Sequence, residues 1–477
     1  MRHGAKMKPS TRELLKSLAL GIAALAGLIL WLKYQPAPPA DWSEKGAGEA
    51  LCPGFTDTDE PQSVTILRPK ETDGETALSE IRLVREKDGW VVKNAEDAPA
   101  DSPDRMTAVL APLRRLTVLS GLGEINSRTD EAAVLEFHRS CQLLDPADTA
   151  PADLSHAGVR LTVSGREGET FADLIIGDVP EGSAKERDIR YVRPAGEDAV
   201  FTADFSGESL GETGQEKALP YLDRLSTDPI DWMNRDLLRV SRWNIARMTL
   251  YEIAIDSSGT ILRHRVLTAA QDPEKSLGRV WELVRLITFD ADGKPAETEI
   301  TDGNREADNA SLNEQAEQIS HLRFDRLVRL PAELTGAAAA GRPMSDWTEH
   351  AGLLAPLGFQ FDDHDPADPD SVEPFLLGAE GTASLSMKGG LRLTVLFGRE
   401  TSAGQAVLVI PSLDGELLAK PQPIPVPDGA DEAQIRRISD ENRLRESEYA
   451  LNRGEAESAL QQARHRFGGW VFFLDGE

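Results

Sequence analysis

Five carboxylates and one imidazole crowd into nine residues, Asp362-Asp363-His364-Asp365 followed by Asp368 and Asp370. Hard carboxylate oxygens are what Ca²⁺ prefers. The spacing is not that of the twelve-residue helix-flanked calcium loop, and Pro366 and Pro369 suit an extended run. The stretch therefore reads as an acidic loop, with Asp363, His364 and Asp365 the residues that would hold a cation. Elsewhere there is no Gly-rich phosphate loop, no G-x-S-x-G elbow and no H-E-x-x-H pair. The eight histidines are scattered, and none stands beside a nucleophile. The two cysteines, Cys52 and Cys141, lack metal-binding spacing. In an oxidising compartment they could pair, although two isolated thiols fit their surroundings better. Trp90, Trp281 and Trp470 read as core residues of strands rather than ligand stackers. No catalytic residue and no cofactor is expected, and the chain is not expected to be an enzyme.

What must position any site begins with residues 17–32, a run without charge or proline. As a helix this run rises about 24 Å, against a hydrocarbon core of about 30 Å. Leu14 and Leu15 lengthen it, because Lys16 can snorkel to the headgroups. Trp31 and Tyr34 mark the far interface. Arg2, Lys6, Lys8, Arg12 and Lys16 crowd the near flank, which places the N-terminus in the cytoplasm and residues 34–477 outside it. A cleaved signal peptide is the rival reading. It would need small residues at −3 and −1, and Pro38 before Ala40 serves poorly. The expectation is a single-pass anchor in the cytoplasmic (inner) membrane, touching the bilayer through residues 17–32.

The formal net charge is −28, and it is uneven: residues 1–33 carry +5 and the remainder −33. A domain this acidic is a poor nucleic-acid binder, since phosphate neutralisation needs clustered Lys and Arg. It is also repelled by anionic lipid. At 477 residues, two or three domains are expected.

The chain then reads as an α+β protein of two similar copies. Residues 1–33 form the tail and anchor, and 34–60 form a linker. A first antiparallel-meander-plus-helix copy covers 61–225, and a second covers 240–477. In the first, Ser63–Leu67, Ile81–Val84 and Trp90–Val92 are strands, with Asp88-Gly89 a hairpin turn. Ser102 and Pro103 open a helix over 103–119 with an apolar face of Met106, Val109, Leu110, Leu113 and Leu116. Thr129 caps a helix over 129–139 that buries Val134, Leu135 and Phe137. Strands follow at Val159–Ser164, Phe171–Ile176, Ile189–Arg193 and Val200–Ala203. The second copy has strands at Met248–Ile255 and near 279–284, with a helix over 311–329 capped by Ser311. A shorter helix at 345–355 follows, then strands at Ala383–Met387, Leu391–Phe397, Val407–Ile410 and Trp470–Leu474. Gly158–Val163 and Gly390–Val395 share five of six letters. Strand order instead aligns Leu391–Phe397 with Phe171–Ile176, because each is the second strand of its run and ends in glycine. Between the last two strands, residues 431–466 form a charged helical insertion, open to a break at Gly454. Its apolar positions, Ile435, Ile438, Leu444, Leu451 and Leu460, are sparse, so it is expected to be dispensable for folding.

Asp88-Gly89-Trp90, Ile176-Gly177, Tyr191-Val192-Arg193 and Arg466-Phe467-Gly468-Gly469-Trp470-Val471, with the N-terminal anchor, resemble the family of domain of unknown function 4340. The likeness runs over most of residues 61–477. Where the family carries Gly-Leu near the second helix, this chain has Cys141-Gln142-Leu143. The resemblance implies an accessory role beside ABC-type transport components, including those of gliding motility, and transfers no catalytic residue. The expected partners are membrane transport-complex subunits. The alternative is an extracytoplasmic ligand-binding module with its site between the two copies. The residues leave self-association open.

Overall fold

The computed structural model describes residues 45–474, except positions 73, 88, 123–129, 184–186, 207–218, 257, 259, 272–279, 291, 302–307, 340–343, 369–370 and 428. The expected anchor at 17–32 lies outside the described residues, as do Asp88, Thr129 and Asp370. Among the described residues no helix is long and apolar enough to cross a membrane.

The first nine strands are β1 (Ser63–Thr72), β2 (Glu75–Glu86), β3 (Gly89–Val92), β4 (Ala98–Pro99), β5 (Val118–Gly121), β6 (Val159–Ser164), β7 (Thr170–Ile176), β8 (Ile189–Pro194) and β9 (Phe201–Asp204). They pair antiparallel in the order β4-β3-β2-β1-β6-β7-β8-β9-β5. Period-two patterning explains the buried face: Val64 and Ile66 on β1 meet Leu83 and Ile81 on β2, and Val163 and Leu161 on β6. Helix α1 (Pro103–Arg114) buries Met106, Val109, Leu110 and Leu113, with Leu116 beyond it, as its periodicity requires. It stops five residues short of the expected end, because the next residues turn into the edge strand β5. Ser102 is the N-cap by position but makes no side-chain capping bond. Helix α2 (Glu131–Ser140) is capped by Asp130, whose side chain accepts from Ala132 N at 3.2 Å, rather than by Thr129. It buries Val134 and His138, one turn apart, and leaves Leu135 49% exposed, against the expectation for Leu135.

A short helix, α3 (Tyr221–Arg224), leads into the second set of strands. These are β10 (Ile245–Ile255), β11 (Ile261–Gln271), β12 (Trp281–Phe289), β13 (Pro295–Glu297), β14 (Phe324–Arg329), β15 (Phe359–Asp362), β16 (Phe375–Gly378), β17 (Gly381–Met387), β18 (Leu391–Thr401), β19 (Gly404–Leu413) and β20 (Trp470–Leu474). Nine of them form a second antiparallel sheet ordered β13-β12-β11-β10-β17-β18-β19-β20-β14, and β15 and β16 form a hairpin of their own. β18 stands second in its run of four, as β7 does in the first sheet. Helix α4 (Asn309–Ser320) is capped by Asp308 instead of Ser311, and buries Leu312, Ala316 and Ile319. The expected continuation of α4 to 329 is the edge strand β14. Helix α5 (Ala332–Ala339) follows, and the expected helix at 345–355 is α6 (Ala351–Leu354) between two 3₁₀ segments.

Helix α7 (Glu432–Phe467) is one continuous helix of 36 residues, about 54 Å long, with no break at Gly454. Asp431 and Gln434 close a reciprocal capping box at its start. Its last third is core, since Ala456, Leu460, Ala463 and Phe467 are buried. The insertion is therefore not dispensable over its whole length.

Residues 45–60 are not a spacer. Leu51, Cys52 and Phe55 are buried, Phe55 stacks on Phe171 at 5.3 Å, and Ala50 bridges Thr117 beside β5. Leu51 N donates to Leu116 O at 2.9 Å. The second sheet repeats the arrangement: Asp236 bridges Arg323, and Leu237 N donates to Leu322 O at 2.8 Å. Trp232, Met233, Leu237 and Leu238, lying between the two sheets, belong to one apolar core that includes residues of both.

Two glycines show how tightly each sheet seats against the turn after its helical segment. A Cβ on Gly177 would lie 2.3 Å from Cys141 O, and one on Gly398 would lie 2.2 Å from Leu357 O. The residues following those carbonyls, Gln142 and Gly358, both take left-handed backbone (φ 54° and 87°). Gln142 thus occupies a conformation that favours glycine. Gly177→Ala and Gly398→Ala are each expected to cost about 1–3 kcal/mol. Gly454→Ala, in open space inside α7, should add roughly 1 kcal/mol. Urea unfolding of the three variants checks the contrast; equal effects would contradict it.

Candidate functional site

The acidic loop after β15 is built into the second sheet. Asp362 is buried and accepts from the Arg263 guanidinium on β11, while its other oxygen accepts from Asp363 N at 2.8 Å. Asp365 accepts from the buried Tyr251 hydroxyl at 3.2 Å and from Ala367 N at 2.8 Å. Arg285 on β12 donates to Ala367 O at 2.6 Å and pairs with Glu297. Tyr251, Ile253, Val266, Ile287 and Leu377 form the apolar patch under the loop. Asp363 is exposed and His364 half-buried. Among the described residues, no three imidazole, thiolate or carboxylate groups come together as a metal site. What the loop's chemistry does is fasten it: burial raises the Asp365 carboxyl above its ordinary range, offset in part by the bonds it accepts from Ala367 and Tyr251.

Two further charge clusters brace the sheets. Asp414 is fully buried and accepts from Ser386 Oγ at 2.6 Å, Arg392 Nη2 at 2.8 Å, and the backbone N–H groups of Glu416 and Leu417. Burial would push its carboxyl up, but the bonds from Ser386 and Arg392 and the Arg392 charge win and hold it at about 2. In the first sheet, Arg160 grips Asp173 with two bonds of 3.0 and 2.8 Å and reaches Asp145 at 3.0 Å.

The residues that carry the family resemblance are structural. Arg193 is buried, and donates to Leu143 O at 2.7 Å and Glu197 O at 2.8 Å, pinning the turn that abuts Gly177. Trp281 and Trp470 are core, and Trp90 packs partly buried against it. Cys52 and Cys141 are free thiols, buried in different apolar clusters, so they do not pair. Burial pushes the Cys52 thiol up to about 12, which leaves it unreactive.

The segment joining the two sheets is pinned at the end of α7 and at the entrance of α1. Arg466, at the end of α7, donates to Leu237 O, Asn234 O and Asp236 O and pairs with Asp101. Asp101 also takes Arg239 at 2.8 Å and Asn234 N at 2.8 Å. Clefts open among the described residues. One of about 260 Å³ is lined by Arg68–Glu71 and Ser226–Asp228. One of about 580 Å³ lies beside Asp325, Arg326 and the Glu400–Gly404 turn.

The first two-thirds of α7 is largely exposed. Residues 420–427 run back along it as a strap: Asn442 exchanges two hydrogen bonds with the Ile424 backbone (2.8 and 3.1 Å), and Lys420 pairs with Glu446 at 2.8 Å. Alternating prolines at 421, 423, 425 and 427 stiffen the strap. That X-Pro rhythm is legible in the sequence. Leu444 and Leu451 stand 58% and 64% exposed on the helix. The arrangement can present a rigid helical surface to another protein.

The family model described as a domain of unknown function (DUF4340) matches residues 90–340. No curated protein and no solved structure matches the chain.

Asp414 and Asp365 should respond to pH in opposite senses. The stabilisation from ionised Asp414 is full above its ordinary pKa of 3.8 and is lost as pH falls toward 2. Asp414→Asn should therefore cost about 3–5 kcal/mol at pH 7 and about 2 kcal/mol less near pH 2. Folding favours the neutral form of Asp365, a contribution full below 3.8 and lost as pH rises through its raised pKa. Asp365→Asn should match the wild type in acid and melt higher at pH 7. Melting temperatures of both variants across pH 2–8 test the pair of signs.

Proposed function

The chain belongs to the family of the domain of unknown function DUF4340, and from that premise we propose that it is a membrane-anchored, extracytoplasmic accessory subunit of an ABC-type transport complex. The observation that carries the reading is α7, a braced helix whose outer two-thirds bury little within the chain. A solvated helix of this length stabilises its own fold weakly, and its natural use is as a surface for another subunit. Residues 17–32 supply the anchor in this reading. Packing of the body starts by residue 45, and the stretch 33–44 spans at most about 40 Å when fully extended. The ectodomain is then held near the bilayer, while its net charge of −33 keeps it off anionic headgroups.

The proposal includes a duplication. The identical order of connections in the two nine-stranded sheets supports it. So do the matching bridges at Ala50/Thr117 and Asp236/Arg323, and the matching glycine contacts at Gly177 and Gly398. In this reading the strap and α7 are what the second copy added between its last two meander strands.

The test is to remove the protruding tip and keep the packed base. Lys420 and Glu446 lie in contact, so a short Gly-Ser turn can replace residues 422–444 without disturbing Ala456–Phe467. The full-length variant should melt within a few degrees of wild type. It should recover at least five-fold less of any ATP-binding-cassette subunit, identified by mass spectrometry after detergent purification. Unchanged recovery, or no such subunit with the wild type, sinks the reading. An alkaline phosphatase fusion at Glu477 should be active, whereas a cytoplasmic C-terminus would leave it silent.

A further inference from the structure

We infer that the Leu444–Leu451 face of α7 takes the same face of a second copy of this chain, side by side and parallel. The inference rests on α7 being the docking element, and it names one occupant.

Leu444 and Leu451 are seven residues apart and so lie on one line of the helix. Three residues after each stand Ser447 and Gly454, both exposed, and a Cβ on Gly454 would meet nothing within 4 Å. A large residue alternating with a small one along a seam allows two helices to approach closely. This seam is nearly opposite the face the strap covers, where Asn442 binds the Ile424 backbone.

Charge decides the partner and its direction. One flank of the seam carries Glu441 and Glu448, and the other carries Arg436 and Arg443, all exposed. In a parallel pair, each flank meets the opposite flank of its partner five residues further on. Arg436 then faces Glu441 of the second copy, and Arg443 faces Glu448. An antiparallel pair would set glutamates against glutamates. Within the chain Arg436 and Arg443 make only exposed contacts, to Glu432 and Asp440, which a partner's carboxylate can share. A parallel two-fold axis also leaves both N-termini pointing the same way, as two chains anchored in one bilayer require. Two leucines per chain make a weak seam, so pairing is expected where chains are concentrated, as on a membrane.

The test uses the full-length protein in phosphatidylcholine vesicles. Asp440 lies on the seam line, seven residues before Ser447 and far along it from the midpoint, so Asp440→Cys faces itself only in the parallel arrangement and removes the one carboxylate pair that arrangement would set face to face; the native Cys52 and Cys141 are buried. Mild oxidation should convert most of the Asp440→Cys protein into a disulfide-linked dimer. Adding Glu441→Arg and Glu448→Arg should lower that yield at least ten-fold, as should adding Arg436→Glu and Arg443→Glu. Mixing the two charge-changed proteins should restore it, while unaltered melts show that each is folded. Absence of the dimer, or failure of the mixture to restore it, overturns the pairing. Absence of the dimer alongside loss of transporter subunits on removing residues 422–444 would leave the docking role standing alone. A dimer with no transporter subunit recovered would do the reverse.

Discussion

The Arg466 guanidinium commits its donors to three backbone carbonyls of the segment joining the two sheets and to the Asp101 carboxylate at the entrance to α1. It ties three distant parts of the chain together. The planar fork of arginine suits it, because a lysine would offer one point charge where several separated acceptors wait. Asp101 is itself held by Arg239 and Asn234, so the knot is close to fully satisfied, which is the condition for burying charge without a large penalty. Through it, the end of the long helix, the linker and the first helix share one geometry. Arg329 adds a second bridge, donating to Glu96 O in the first half while its guanidinium lies over the Trp470 ring at 5.0 Å.

Around this knot the two sheets solve the same problem with the same parts. Each is led in by a short segment that pairs with its own edge strand, and each brings a glycine against the carbonyl of a turn. The buried charges differ. The first sheet uses Arg160 with Asp173 and Asp145, and the second uses Arg392 with Asp414. Although Gly158–Val163 and Gly390–Val395 look alike, their arginines sit on strands of different rank and serve different loops. The acidic loop at 362–368 belongs to the same logic, its carboxylates fastening it to the sheet.

Local patterns in the chain were good guides wherever the partner of a segment was near in sequence. The strands at 159–203 and the apolar face of α1 follow from periodicity and from bounding glycines, prolines and aspartates. Segments whose partner is remote were read wrongly. The apolar spacing of β5 and β14 suits a helix end as well as a strand, and their strand neighbours, β9 and β20, come far later in the chain. Residues 45–60 looked like a linker, since only Leu51, Cys52 and Phe55 among many polar residues mark them as core. Gly454 suggested a break in α7, yet a single helical glycine costs only about 1 kcal/mol, which a capping box and a packed base offset. The loop at 362–368 was legible as acidic but not as bonded, because Arg263, Tyr251 and Arg285 are about 80–110 residues away. Arg466 stood out as part of a motif, but its partner lies 365 residues earlier.

The segment between the sheets carries a further consequence. Connections between two halves of a protein are usually its weak points, where amides exchange with solvent first and proteases cut. Here Trp232 and Leu237 are buried, Trp232 O accepts from Ser102 N, and Leu237 N is held by Leu322 O. Exposing this stretch means breaking into the core of both sheets at once. Its amides therefore belong among the last to exchange with deuterium, and limited proteolysis will not separate the halves there while either remains folded.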